Sequence, residues 1–366
     1  MHLQYVFIPG FSGWGSYDER YKKTPYWGMR GGDLIAWLRS EGFPAYAASV
    51  SPKGSAWDRA CELYAQIFGT RVDYGEAHSR EYHHERYGRD FSDCPLLPQV
   101  TEEMKLVLIG HSFGGVTARL FAHLMENGAP AEKEATQDGS LSPLFCGGLG
   151  SRIHSVTAIA SSLNGNSTYT MLEDPAFDPN EVKVSLKARF FNRLFIKFTK
   201  NNMDGSDPRD CAEYDMHIDR AMEMNREIKD LPHVYYYSIP CSLTRKSKDG
   251  SYMPEKTMES VFIMRSTQIG RYTGVTKGGF AVDRKWLQND GRVNTISEIA
   301  PFGSLKKKLL PGTEAEPGIW NVYPLYHGDH MSLQGGLRHK TDIRGFYKEL
   351  LTQIGFPFIS NMKQAL

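Results

Sequence analysis

The sequence predicts an α/β fold with a mostly parallel central sheet flanked by helices. Three observations carry this. Apolar, β-rich runs alternate with helical patterns through the first half. The run KLVLIG at 105–110 is short, apolar and closed by a glycine, as a central parallel strand reads. A helical pattern, VTARLFAHLMEN, follows it after only a tight glycine-rich turn.

In chain order, 5–9 reads as a buried strand, 33–41 as a helix and 44–50 as a second strand. Residues 57–68 are helical, because Trp57, Cys61, Tyr64 and Phe68 recur on one face. After the strand 105–110 and the helix 116–126 come strands at 153–160 and 234–239, and a C-terminal helix at 342–354. Two stretches break the rhythm of what is otherwise expected to be a single domain over 1–366. Residues 73–92 are rich in His, Tyr and charge without a clean period, and read as an ordered insertion. Residues 164–210 are long for a connection between a strand and a helix, and read as a lid or cap. Within the lid, 182–200 is an amphipathic helix: Leu186, Phe190, Phe191, Leu194, Phe195 and Phe198 form an apolar stripe among lysines and arginines. That stripe either packs on the domain or faces a lipid interface.

Composition narrows the classes. Hydrophobic residues are 40% and charged residues 23% of 366, ordinary for a chain with a sizeable core. The formal net charge of +1 provides no global field for nucleic acid or an acidic membrane. Cys61, Cys94, Cys146, Cys211 and Cys241 are scattered and odd in number, which argues against a disulfide framework and a cysteine zinc site. No run reaches the roughly 18 apolar residues of a membrane span. The N-terminus enters a strand at once, leaving no room for a signal peptide. The expected compartment is therefore cytoplasmic if the chain is complete as given, and extracellular if a leader has been removed.

The motif Gly110-His111-Ser112-Phe113-Gly114-Gly115 matches G-x-S-x-G between a strand and a helix, the context of the nucleophile elbow in the α/β-hydrolase fold. The glycines let the backbone close around a strained serine, and the helix N-terminus adds N–H groups beside a developing oxyanion. A serine hydroxyl needs a base oriented by an acid, and in this fold the chain order is Ser, acid, His. Gly328-Asp329-His330-Met331 precedes the last helix, so His330 is the expected base, with His327 and His339 nearby. Asp290 in the turn QNDG is the expected acid, with Asp283 and Asp329 as rivals. The loop Pro9-Gly10-Phe11-Ser12-Gly13 after the first strand offers the Phe11 N–H as a second oxyanion donor besides that of Phe113.

These residues resemble the bacterial true lipases of the thermophilic bacillus and staphylococcal type. The likeness spans most of the chain: GFSGWG, YWGMRGGD, WDRACELYAQIFG, VDYGEAH, RYGRDF, GHSFGG, KWLQNDGRVNT, the DH of 329–330 and DIRGFY. The resemblance implies hydrolysis of acylglycerols and other carboxylic esters. It sets Ser112, Asp290 and His330 on the family triad, and Phe11 and Phe113 on its oxyanion positions. It also implies a structural zinc held by Asp58, His78, His84 and Asp210, with His83 the adjacent alternative. Two imidazoles and two carboxylates make a charge-neutral, closed site, suited to structure rather than catalysis. The sequence departs from the family in places. Pro9-Gly10 replaces the usual His-Gly, Phe113 follows the nucleophile, and the 164–210 excursion is shorter than the family's large lid. Met331-Ser332-Leu333-Gln334 and Leu337-Arg338 lack the acidic residues of the family's calcium site, so no calcium is expected. Two other readings use the same residues: a soluble short-chain carboxylesterase or acyltransferase, and a non-catalytic, zinc-stabilised binding protein. The intact Ser, Asp and His set speaks against the second.

Overall fold

The computed structural model describes residues 2–178, 184–199, 207–310, 312–337 and 342–363. Strands β1 (His2–Ile8), β2 (Ala45–Ala47), β3 (Met104–His111), β4 (Ile153–Ile159), β5 (Tyr235–Ile239), β6 (Lys306–Lys308) and β7 (Trp320–Val322) form one sheet, ordered β6-β7-β5-β4-β3-β1-β2. Every pairing in it is parallel. The helices that matter here are α1 (Leu34–Ser40), α2 (Ala56–Phe68), α3 (Glu76–Tyr82), α4 (Phe113–Asn127), α5 (Leu186–Thr199), α6 (Ile263–Ile269) and α7 (Ile343–Lys363). The seven-stranded parallel sheet with flanking helices is the α/β-hydrolase architecture the sequence predicts.

Alternation along β1 shows how the sheet is covered. Val6 and Ile8 face a core shared with Cys61 and Leu63 of α2 and Phe121 of α4. Tyr5 and Phe7 face the other side, against Ile35 and Leu38 of α1 and Tyr347 and Leu350 of α7. Each fully buried side chain of this size stabilises the fold by about 1.5–3 kcal/mol, so both faces hold the strand in register. Local signals set the helix starts. The Asp33 carboxylate accepts from the Ile35 and Ala36 N–H groups, and Ser55 Oγ accepts from that of Asp58.

The expected strand 44–50 is shorter, because Gln66 bonds both backbone groups of Ser49 and draws the chain out of the sheet after Ala47. The C-terminal helix is longer than 342–354. β6 and β7 have no counterpart in the sequence reading: each is three residues long, and β6 reads KKK.

Within 73–92, polar contacts add to the burial of Phe91 and the packing of Tyr74 against the core. Arg71–Asp73 pairs antiparallel with Tyr87–Asp90, and α3 sits between them. Arg86 grips the Asp73 carboxylate bidentately at 2.9 Å through both nitrogens, and Glu132 caps α3 by accepting from the Ala77 and His78 N–H groups. The helix expected at 182–200 is α5; Val182 and Lys200 lie outside the described residues. Leu186 and Phe190 on it are 86% and 63% exposed, while Ala188 is buried. No helix among the described residues is long and apolar enough to cross a membrane.

Candidate active site

β3 ends at His111, and α4 starts at Phe113. The one residue between them, Ser112, takes φ 56° and ψ −129°, a region L-residues avoid. Its N–H donates to the Ile159 carbonyl and its carbonyl accepts from Gly115, which fixes the bend. The glycines are required by contact: a Cβ on Gly110 would lie 2.3 Å from the Gly114 backbone. A Cβ on Gly10 would lie 2.7 Å from that of Ser112, so only glycine lets the Pro9–Gly13 loop come up against the serine.

The structure brings Ser112, His330 and Asp290 together. Ser112 Oγ is 2.9 Å from His330 Nε2, and His330 Nδ1 is 2.5 Å from Asp290 Oδ2. Asp290 is fully buried, and its other oxygen accepts from the Arg292 and Val293 N–H groups at 2.8 and 2.7 Å. Burial, and then the Asp290 charge, push the Glu298 carboxyl well above the usual carboxylate range.

The rivals are engaged elsewhere. Asp283 caps its own turn through the Lys285 N–H. Asp329 accepts from the Glu259 and Met331 N–H groups and the Ser332 hydroxyl. His327 is exposed beside Glu255. His339 lies outside the described residues.

Phe11 and Phe113 flank the serine on two elements. Phe113 is fully buried at the first position of α4, and Phe11 is half-buried on the loop after β1. That loop is held from below by Arg59 of α2. This fully buried guanidinium donates to the carbonyls of Pro9, Gly10 and Ser51 and to Thr117 Oγ1. Burial lowers its pKa to about 10, which leaves it charged at neutral pH.

A second cluster lies apart from the triad residues in sequence. Ligand-type atoms of Asp58, His78, His84 and Asp210 all lie within 4.8 Å of one another. His78 Nε2 is 3.2 Å from Asp58 Oδ1 and 3.4 Å from Asp210 Oδ1, and His84 Nε2 is 3.3 Å from Asp210 Oδ2. His84 Nδ1 donates to the Glu85 carbonyl, which turns the Nε2 lone pair toward the cluster. His84 Nε2 and Asp210 Oδ1 are buried without a hydrogen-bond partner, an arrangement that fits a bound cation. His83, exposed in left-handed conformation at the end of α3, is outside the cluster. Trp57 stacks on His78 at 5.2 Å and fixes the ring plane.

Residues 2–180 match the family model for the lipase-like, C-terminal domain. A lipase of Staphylococcus epidermidis is 29% identical over 369 residues, 94% of this chain; the chain spans about half, 51%, of that relative's length. EstA from Clostridium botulinum is 30% identical, with 97% of this chain and 87% of that chain aligned at a TM-score of 0.77. The chain belongs to the staphylococcal-type bacterial lipase family. A second family structure, lipase 1 from Pelosinus fermentans, is 30% identical with a TM-score of 0.76, covering 96% of this chain and 99% of that one.

Reading this lipase-family chain by sequence left out Arg59, Tyr26 and His111. Arg59 shares its side of α2 with Glu62 and Gln66, opposite Trp57, Cys61 and Tyr64, so its spacing reads as a solvent-facing polar side although all three are buried. Tyr26 and His111 stand inside the quoted motifs YWGMRGGD and GHSFGG, yet their partners are far away in sequence.

Proposed function

We propose that this lipase-family chain is a serine carboxylic-ester hydrolase working through an acyl-serine intermediate. The observation that carries the reading is the continuous Ser112–His330–Asp290 hydrogen-bond chain ending on a buried carboxylate. In it, Ser112 Oγ attacks the ester carbonyl carbon while His330 Nε2 takes the hydroxyl proton. Asp290 Oδ2 accepts Nδ1–H, holds the tautomer and stabilises the imidazolium. The N–H groups of Phe11 and Phe113 receive the negative charge gathering on the carbonyl oxygen; such a donor is worth about 10²–10³ in rate. The tetrahedral species expels the alcohol, which takes the proton back from His330. Water then enters with His330 as base, the carboxylic acid leaves, and Ser112 regains its proton.

Acylglycerols are the substrate class we assign. Support comes from the exposed Leu186 and Phe190 on α5, which are suited to a lipid interface. Asp58, His78, His84 and Asp210 would hold a structural Zn²⁺, with four protein ligands and no open position. Bound there, the metal supplies a cross-link between α2, the 73–92 segment and the chain entering Cys211. It takes no part in the ester chemistry.

The test is hydrolysis of emulsified long-chain triglyceride and of a soluble short-chain ester by wild type, Ser112→Ala and Leu186→Asp/Phe190→Asp. Ser112→Ala is expected to lose at least about 10³-fold on both substrates. The double aspartate variant is expected to lose about tenfold or more on the emulsion alone, from apolar contacts of about 1.5–3 kcal/mol each. Undiminished Ser112→Ala activity would discard the reading. An enzyme active only on the soluble ester would favour the short-chain alternative.

A further inference from the structure

Beside the triad runs a second hydrogen-bond chain. The Gly10 N–H donates to Tyr26 Oη at 3.0 Å, and Tyr26 Oη lies 2.6 Å from His111 Nδ1. His111 Nε2 lies 2.7 Å from the backbone carbonyl of His330. The chemistry fixes every proton in this line. A carbonyl oxygen only accepts, so Nε2 of His111 must carry hydrogen. A neutral ring then presents a lone pair at Nδ1, and the phenol, already accepting from Gly10, donates its own hydrogen there.

The surroundings keep the ring neutral. Tyr26 and His111 are almost fully buried, and the Trp27 ring packs edge-on to both. The His111 and His330 ring centres are 4.9 Å apart. Burial first, then the charge that His330 carries when protonated, draws His111 down to about 3; the hydrogen bond to the His330 carbonyl and the Asp290 charge oppose this. A cation here would oppose the imidazolium that forms on His330 during turnover. A neutral His111 imposes no such charge.

The chain joins two loops with no covalent reason to stay in register. One carries Gly10 and Phe11; the other carries His330. Gln334, after the histidine, also bonds the Tyr26 carbonyl and accepts the Gly28 N–H, so the Tyr26–Gly28 turn is clasped to the same loop.

We propose that Tyr26 and His111 are positioning residues that lock the Phe11-bearing loop to the His330-bearing loop. Neither touches substrate. Together they set the distance between the oxyanion donor and the general base. This rests on the hydrolase reading above. It predicts that breaking the line misplaces both groups at once, which lowers the rate of the chemical step and leaves ground-state binding alone.

The test compares wild type, Tyr26→Phe, His111→Gln and the double variant on one soluble ester, with active sites counted by end-point fluorophosphonate labelling. Each single variant is expected to lose about 10–100-fold in kcat per labelled site, with KM within about twofold. The double variant is expected to be no worse than the poorer single one, because one device is broken either way. A kcat per labelled site within about twofold in Tyr26→Phe, or losses that multiply in the double variant, would overturn the proposal. If a variant fails to fold, the ¹⁵N-histidine spectrum of the wild type decides. His111 is expected as a neutral, Nε2-protonated ring from about pH 5 to about pH 9; titration in that range, or the Nδ1–H tautomer, refutes it. A wild-type serine that takes no fluorophosphonate would instead remove the hydrolase reading, and the spectrum would still report on the line itself.

Discussion

Asp290 holds His330 twice: its carboxylate meets Nδ1 at 2.5 Å, and its backbone carbonyl accepts the amide N–H of the same histidine at 2.9 Å. The second contact survives any change of side chain. Asp290→Asn should therefore leave the fold and the ring position nearly intact while spoiling the tautomer. Activity is expected to drop on the order of 10³–10⁴-fold, with a melting temperature within a few degrees of wild type. A variant that loses stability in proportion to activity would contradict this division of labour.

Arg59→Met removes the donors beneath the loop and leaves the buried Pro9 carbonyl without its partner, while the Gly10 carbonyl keeps the Gly13 N–H. The expected cost is roughly 2–5 kcal/mol in denaturant unfolding, with at least a tenfold loss of turnover as the loop relaxes. Arg59→Lys is expected to recover little of either, because one ammonium cannot reach acceptors on so many sides. Full rescue by lysine would show that charge, not the fork geometry, holds the loop.

Chelation should act on stability rather than chemistry. With free zinc a thousandfold above its dissociation constant, binding adds about 4 kcal/mol. Treatment with EDTA is expected to lower the melting temperature of wild type to that of Asp210→Ala, and to leave the variant unmoved. Elemental analysis of protein purified without chelator checks the premise: a few tenths of a zinc per chain or less would dismiss the site.

Acid stability has a separate source. Burial, with Lys105 adding to it, draws His154 on β4 down from 6.5 to about 4. A depressed histidine favours the fold above its unfolded value. As pH falls from about 6.5 to about 4, the unfolded chain takes up a proton that the native state refuses. That window is expected to cost up to roughly 3 kcal/mol. His154→Phe keeps a ring stacked on Tyr235 and removes the proton. Urea titrations at several pH values across the window should show the variant gaining on wild type as pH drops; a constant gap would exclude His154 as the cause.

How much of this was legible in the sequence follows from how local each feature is. Ser112 was readable because its strand, bend and helix are contiguous in sequence. The amphipathic face of α2 and the alternation along β1 were readable for the same reason. Residue pattern alone nominates Asp290 and His330 with rivals beside each, and it is the family resemblance that singles them out. What separates Asp290 from Asp283 and Asp329 is tertiary: the rivals cap their own turns or bind Glu259 and Ser332. The edge strand β6 and its neighbour β7 are too short, at three residues each, to show an alternation. The Tyr26–His111 contact joins positions 85 apart in the chain, a distance that no periodicity spans.

The backbone at Ser112 has a consequence for anyone engineering this protein. A residue with a side chain at φ 56° and ψ −129° carries roughly 1–3 kcal/mol of conformational strain that glycine does not. A library screened only for heat tolerance will therefore enrich glycine at position 112, returning robust clones without a nucleophile. Heat challenge has to be coupled to turnover in each round, or the screen will breed the chemistry out.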